Sequence, residues 1–375
     1  MIYLDHNATT RPDPAVVDAL SWATEHAWGN PSTLYRAGRE AKGVLDAARG
    51  KVARLIGARD PAQVVFTSGG TEADALALFG VLRRPGQGGR HLVTSLAEHK
   101  AVLRTGVRLE AEGFPVTFLP VDGLGRVDPE MVARALRPDT ALVSFLLANN
   151  EVGTVNLVGE IASVCREEGV PVHTDAVQAC GKIPVDVEEL GVDLVSLSGH
   201  KFHGPRGIGA LWVRPGTVLQ PLLVGGTQER GLRAGTEPVA LAHALGVAAE
   251  LARSRLETDG ARIRALRDRL WEGLREAVPG VRAHGDRDRG LPNTLNVSIP
   301  GREAEALVLA LDEAGIAVGT GSACSTGDTR PSHVLLAMGV PPAEARASIR
   351  FSLGRANTDA EVGAAVEALG RIALA

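Results

Sequence analysis

The sequence predicts an α/β protein in two parts: a large domain with a mostly parallel seven-stranded sheet flanked by helices, and a smaller α/β unit at the C-terminal end. Three observations lead there. Short apolar runs alternate with helical stretches or loops as far as residue 213. A long amphipathic helical region follows, about 237–278. Beyond it, from about 280 to 375, strand-like runs and helices resume on a smaller scale.

Taken in order, "GREAKGVLDAARGKVARLIG" (38–57) places Val44, Leu45, Ala48, Val52 and Leu55 at helical spacing. "QVVFTSGG" (63–70) is a short apolar run that ends in glycines, and "TEADALALFGVL" (71–82) starts the next helix. "HLVTS" (91–95), "PVTFL" (115–119), "ALVSFLL" (141–147), "VPVHTD" (170–175), "VDLVSLS" (192–198) and "GALWV" (209–213) suit strands. Near-continuous apolar strands between helices indicate a parallel sheet covered on both faces. In the long helical region, "ARIRALRDRLWEGLREA" (261–277) is heavily charged and reads as a solvated helix face. The C-terminal unit is carried by "TLNVSI", "EALVLALDEAG", "IAVGTGSAC", "ASIRFSLG" and a last helix.

Composition narrows the function. Of 375 residues, 45% are hydrophobic and 22% charged, which is ordinary for a globular protein. The formal charge is −4, no basic block stands out, and aromatic residues are 3%, so nucleic acid is an unexpected partner. The N-terminus, "MIYLDHNATTRPDP", has no basic-then-apolar leader, and no run approaches the roughly 20 apolar residues of a membrane span. Cys165, Cys180 and Cys324 are odd in number and far apart, which points to a reducing, cytoplasmic setting. No CxxC or CxxH spacing suggests a metal site.

Several stretches could carry chemistry. "LSGHKFHGPRGIGAL" (197–211) sets Lys201 after a strand, among Ser198, His200 and glycines. It is either a surface lysine or a semi-buried amine able to form a Schiff base, with Ser198 and His200 ready for phosphate oxygens. In "VHTDAVQACGK" (172–182), Asp175 ends a strand. It could cap a helix, or hold the ring nitrogen of pyridoxal phosphate protonated, with Gln178 donating to the phenolic oxygen. "FTSGGTEADALAL" (66–78) runs strand, glycines, helix. Gly70 and Thr71 could cradle a phosphate there, or Thr71 could form a capping box with Asp74.

His99 in "SLAEHKAV" (95–102) is a satisfied polar residue or an imidazole stacked on a cofactor ring. "LANNEVGTV" (147–155) adds Asn149 and Asn150 in a polar turn. Arg350, inside the alternating strand "ASIRFSLGR" (347–355), needs a partner, and an amino-acid carboxylate is a good one. Together these groups form the set that a pyridoxal-phosphate enzyme acting on an amino acid requires.

The chain also resembles the pyridoxal-phosphate-dependent cysteine desulfurases of the NifS and IscS type, within the class V aminotransferases of fold type I. The resemblance runs from "YLDHNATT" (3–10) through "GNPST" (29–33), "VFTSGGTEAD" (65–74), "EHKAV", "NNEVGT", "HTDAVQACGK", "SGHKFHGPRGIGAL", "ERGLRAGTEPV" (229–239) and "GSACSTGDTRPSHVL" (321–335) to "SIRFSLGR". It implies Lys201 as the Schiff-base lysine, with Asp175, Gln178 and His99 on the ring. It implies Gly70, Thr71, Ser198 and His200 on the phosphate, and Asn150 near the cofactor. Arg350, with Asn30 and Asn150, would serve the substrate carboxylate. Thr236 would reach the other subunit's phosphate, which implies a homodimer.

Cys324 matches the family's sulfur acceptor, so the implied activity converts L-cysteine to L-alanine with a persulfide on Cys324. Its sulfur would go to an acceptor protein or iron–sulfur scaffold. The stretch from Cys324 to "HVL" (333–335) has the longer, NifS/IscS-like form. A selenocysteine lyase or another class V aminotransferase is the alternative on the same site. The implied layout is a large domain at 13–255 and a small one formed by 1–12 with 256–375.

Overall fold

The computed structural model describes residues 1–86, 89–320 and 330–374. The chain opens with a two-residue strand, β1 (Ile2–Tyr3). Seven strands then build the large sheet: β2 (Val64–Thr67), β3 (His91–Ser95), β4 (Val116–Leu119), β5 (Thr140–Leu146), β6 (Val172–Asp175), β7 (Leu194–Ser198) and β8 (Gly209–Val213). Their order is β2-β8-β7-β6-β5-β3-β4. Only β8 runs antiparallel to its neighbours. Each of the seven apolar runs overlaps one of these strands. Except for the edge strand β4, every residue in them is buried, as helices on both faces demand.

The helix Gly70–Leu82 follows β2, and the helix Lys100–Ala111 follows β3. β5, β6 and β7 are followed by turns before the chain moves on. The C-terminal ends of these parallel strands therefore gather at one edge of the sheet, where α/β folds place ligands. The main core packs Val52, Phe66, Val143, Val195, Trp212 and Ala248 around this sheet.

The C-terminal part adds β9 (Arg282–His284), β10 (Thr294–Ser298), β11 (Ile316–Ala317), β12 (Gly319–Thr320) and β13 (Ser348–Ser352). Four of them make an antiparallel sheet ordered β12-β13-β10-β9, while β11 pairs in parallel with β1. The first residues thus return to the C-terminal part, and Leu4 joins its core with Leu270, Leu295, Val297, Ile349 and Phe351.

The 39-residue helix Val239–Ala277 serves both cores, through Ala242–Ala249 at one end and Leu266–Leu274 at the other. At 1.5 Å per residue it is about 58 Å long. Its charged second half is only partly the solvated face that the sequence suggests. Arg267 is buried and donates to the Leu291 carbonyl at 3.0 Å. Arg262 donates to Asn357 O at 2.9 Å, and Arg269 pairs with Asp359 at 2.8 Å. These arginines fasten the helix to neighbouring segments.

Candidate active site

A cavity of about 310 Å³ opens at the C-terminal edge of the large sheet. It is lined by Gly70, Thr71, His99, Asn150, Asp175, Gln178, Ser198, His200, Lys201 and Arg350. Residues far apart in sequence meet there because β2, β3, β5, β6 and β7 all end at the same edge. Arg350 arrives from β13 of the small sheet.

Lys201 closes a short 3-10 turn (Gly199–Lys201) directly after β7. Its Nζ donates to the carbonyls of Asn7 and Ala8 at 2.7 and 2.8 Å. The amine is therefore held on the cavity wall rather than on the protein surface. His200 beside it places Nδ1 3.1 Å from Thr9 Oγ1. Burial, then the Lys201 charge, pulls this imidazole down to about 4.

Asp175 is 2% exposed at the end of β6. Its Oδ1 accepts the Val177 amide at 2.9 Å, so it caps a turn rather than the helix that an N-cap would start. Burial raises its carboxyl above the ordinary range. Gln178 donates through Nε2 to Asn7 O at 2.9 Å and accepts from Lys182 Nζ. Its amide group has a second N–H to offer.

His99 is the N-cap of the helix Lys100–Ala111, and its Nδ1 accepts the Ala101 amide at 3.2 Å. Burial, then Lys201, lowers this imidazole to about 4, so the ring is neutral near pH 7. Since Nδ1 accepts, the ring proton sits on Nε2. His99 caps a helix and also lines the cavity.

The helix Gly70–Leu82 begins without a side-chain cap, and its N-cap is Gly69. The Thr71–Asp74 capping box does not form; instead Glu72 accepts the Ser68 amide at 2.7 Å. Gly70 and Thr71 of the first turn line the cavity, and a helix start is a suitable place for an anion. A Cβ on Gly70 would lie 2.6 Å from Val177 Cγ2, so a larger residue there would push that side chain aside.

Arg350 is 2% exposed. It pairs with Asp5 at 2.7 Å and donates to Asn150 O at 2.9 Å, while its Nε has no partner. Asn150 Oδ1 and Asp74 Oδ1 are likewise buried without partners, and all three residues line this cavity. Unpaired buried polar atoms are costly, and their grouping here marks a place prepared for a polar ligand. With a lysine amine, a strand-end carboxyl and an anion-binding helix start, the donor set fits pyridoxal phosphate.

Two candidate residues stand elsewhere. Asn30 is exposed, and its side chain accepts the Ser32 amide at 2.9 Å, closing its own turn. Thr236 is exposed and lies outside this chain's cavity lining. Cys324 lies outside the described residues. The other two cysteines are buried, and burial pushes both thiols up to about 12, which leaves them unreactive.

Sequence reasoning missed Asn7, Asp74, Glu151 and His333, which also line the cavity. Asn7 ties the parts together: its side chain donates to Asn150 O and Thr294 Oγ1 at 3.1 and 2.8 Å and accepts from Lys182 Nζ at 3.0 Å. The signal for Asp74 was its place one turn after Gly70, on the same helix face. Nothing comparable pointed to Glu151, which accepts from Ser332, or to His333, whose Nε2 lies 2.9 Å from Glu98 O.

The family model described as Aminotransferase class-V matches residues 2–364. A cysteine desulfurase of Gluconacetobacter diazotrophicus is 48% identical over 363 residues, covering 96% of this chain and 90% of the relative. A cysteine desulfurase IscS of Methanosarcina thermophila is 45% identical over 372 residues, covering 99% of this chain and 91% of the relative. A solved NifS-like protein superposes with a TM-score of 0.93 at 38% identity, over 99% of this chain and 98% of that one.

Proposed function

From the premise that the chain belongs to the class-V aminotransferase family, a pyridoxal-phosphate-dependent family, we propose that it is a cysteine desulfurase converting L-cysteine to L-alanine. The observation that carries this is the convergence of Lys201, Asp175, His99 and Arg350 on one cavity at the strand ends.

Gly70, Thr71, Ser198 and His200 would hold the cofactor phosphate and Asp175 and Gln178 its ring, with His99 in the same cavity. The cofactor supplies an electron sink for negative charge at the substrate's Cα. Lys201 Nζ takes the Cα proton. Arg350, through its unpartnered Nε, and Asn150, through its side-chain N–H group, bind the substrate carboxylate. The Cys324 thiolate attacks the substrate sulfur. An S–S bond forms, the C–S bond breaks, and its electron pair stays on carbon, which takes a proton to give alanine. His99, with its proton on Nε2, is placed to deliver that proton. The sulfur remains as a persulfide on Cys324 and passes to an acceptor, a partner protein or an iron–sulfur scaffold.

The division into a large unit, 13–255, and a small one, 1–12 with 256–375, goes with this reading. Two separate apolar cores and the β1–β11 pairing support it. A homodimer and a cytoplasmic location go with it too. Exposed Trp28, Leu34 and Val224, on the chain segments around Asn30 and before Thr236, support a covered surface that takes both residues toward a second copy.

The test is alanine release from L-cysteine in the presence of a thiol reductant, with Cys324→Ala beside the parent. Alanine and sulfide in step, and no persulfide in Cys324→Ala, are expected. Normal desulfuration by Cys324→Ala would remove that residue from the role.

A further inference from the structure

A second carboxyl stands beside Asp175, and the chemistry above gives it no part. Asp74 lies one turn into the helix Gly70–Leu82, on the face that brings Gly70 and Thr71 to the cavity. It is 1% exposed, and its Oδ1 has no hydrogen-bond partner. One polar side-chain atom each from Asp74, His99 and Asp175 lie within 4.8 Å of one another.

The charges around Asp74 decide its state. His173 on β6 approaches to 3.6 Å, but burial lowers its imidazole to about 3, so it is neutral. Its two nitrogens already meet Ser144 Oγ at 2.8 Å and Ser196 Oγ at 2.9 Å. His99, from the segment after β3, is neutral as well. After burial itself, the Asp175 charge raises the Asp74 carboxyl most; a Ser196 hydrogen bond acts the other way, and Glu98, where ionised, adds to the rise. The Lys201 charge bears on Asp175. Among the described residues no cation acts on Asp74, and a buried carboxyl with carboxyl neighbours takes up a proton rather than staying ionised.

We propose that Asp74 is a positioning residue for the ring-nitrogen site: held as a neutral carboxylic acid, it leaves Asp175 the one anion of the pair and turns a hydrogen-bond donor toward it. Two ionised carboxylates so close would repel, and Asp175 would share the proton meant for the cofactor ring. With the proton resting on Asp74, Asp175 is free to face the ring nitrogen. The proposal rests on the assignment of Asp175 to that nitrogen.

The experiment compares the holoenzyme with Asp74→Asn, Asp74→Ala and Asp175→Asn. The first measurement is the infrared difference spectrum between parent and Asp74→Asn at pH 7, in H2O and D2O. The second is the dissociation constant of pyridoxal phosphate. The difference spectrum should contain the carbonyl stretch of a protonated carboxyl, shifted in D2O; subtraction separates it from Glu98. Asparagine is neutral and keeps a donor, so Asp74→Asn should hold the cofactor within about threefold of the parent, whereas Asp74→Ala, losing a hydrogen bond to a charged group, should loosen it about tenfold.

No protonated-carboxyl band in the difference spectrum, or equal loosening by asparagine and alanine, overturns the proposal. If Asp74→Ala fails to fold, the infrared comparison with asparagine decides alone. Asp175→Asn separates the two layers. If it leaves cofactor affinity and the visible absorption band unchanged, the Asp175 assignment falls and takes the proposal with it. If it loosens the cofactor while the Asp74 band is missing, only the proposal falls.

Discussion

In the large sheet the polar chemistry sits at strand ends; in the small sheet it sits on a strand face. β5 and β7 are apolar along much of their length, β6 is buried throughout, and all three carry polar groups at or just past their ends, at Asn149–Asn150, Asp175 and Ser198–Lys201. β10 and β13 alternate instead. Leu295, Val297, Ile349 and Phe351 enter the small core, while Asn296, Ser298, Ser348 and Arg350 lie on the other side. Those polar residues are buried too. Alternation usually signals one wet face, but here that face is covered, and Arg350 reaches the cavity from it. The large unit can hold cofactor groups on rigid ends of parallel strands. The small unit can bring a substrate-binding group as one piece with its own core.

Substitutions at each place should separate the two roles. The largest effect belongs to a strand end: Lys201→Ala should lower turnover at least ~10³-fold, the range of a lost acid–base group, with little change in thermal midpoint. Measured turnover within tenfold of the parent would break the comparison at its strongest point. Next comes the small core. Phe351→Ala should cost about 3–5 kcal/mol of stability, read by denaturant unfolding, while KM for cysteine rises little.

Titration comes third. Burial pushes the Glu98 carboxyl, held by Ser95 Oγ at 2.6 Å and the Leu146 amide at 2.9 Å, up from its ordinary 4.5 to about 8. The native protein keeps this proton while the unfolded chain loses it. Stability from Glu98 is thus complete below the unfolded value and is lost as pH rises toward the folded one. Relative to Glu98→Gln, the parent should lose roughly 3–4 kcal/mol between about pH 5 and pH 8 in unfolding experiments. Parallel stability curves for the two proteins would show that Glu98 is ionised in the fold.

Arg350→Gln is smaller still. It should raise KM for cysteine roughly 100-fold, the equivalent of about 2.7 kcal/mol, with a lesser effect on kcat. An unchanged KM would leave the strand face of β13 a purely structural surface. The smallest effect is expected at Gly70→Ala, where the added Cβ presses on Val177, a cavity residue. Overpacking of about 1–3 kcal/mol there should weaken cofactor affinity roughly tenfold, measured by equilibrium dialysis.

Much of this was legible in the sequence because it is local. Apolar runs of strand length, glycines after β2 and the polar residues at or just past the ends of β5, β6 and β7 lie within a few positions of one another. The helix Pro14–His26 carried its own signal, Asp13 capping the Ala15 amide and Pro14 at the first turn, although periodicity alone did not single it out. β1 and β9 are too short to show a period. Asn30 was drawn toward the site by its motif; within the single chain its Oδ1 closes its own turn.

By itself, then, the sequence determined the class of fold, the strands and the residue types able to handle a cofactor, since these depend on hydrophobic periodicity and side-chain chemistry within short windows. Only the tertiary structure decided which polar groups face one another. It brought Asn7 under Lys201, closed Arg350 on Asp5 across 345 positions, and set Asp74 beside Asp175. Burial and charge act through space, so the protonation of Asp74, His99 and Glu98 follows from neighbours that no stretch of sequence places together.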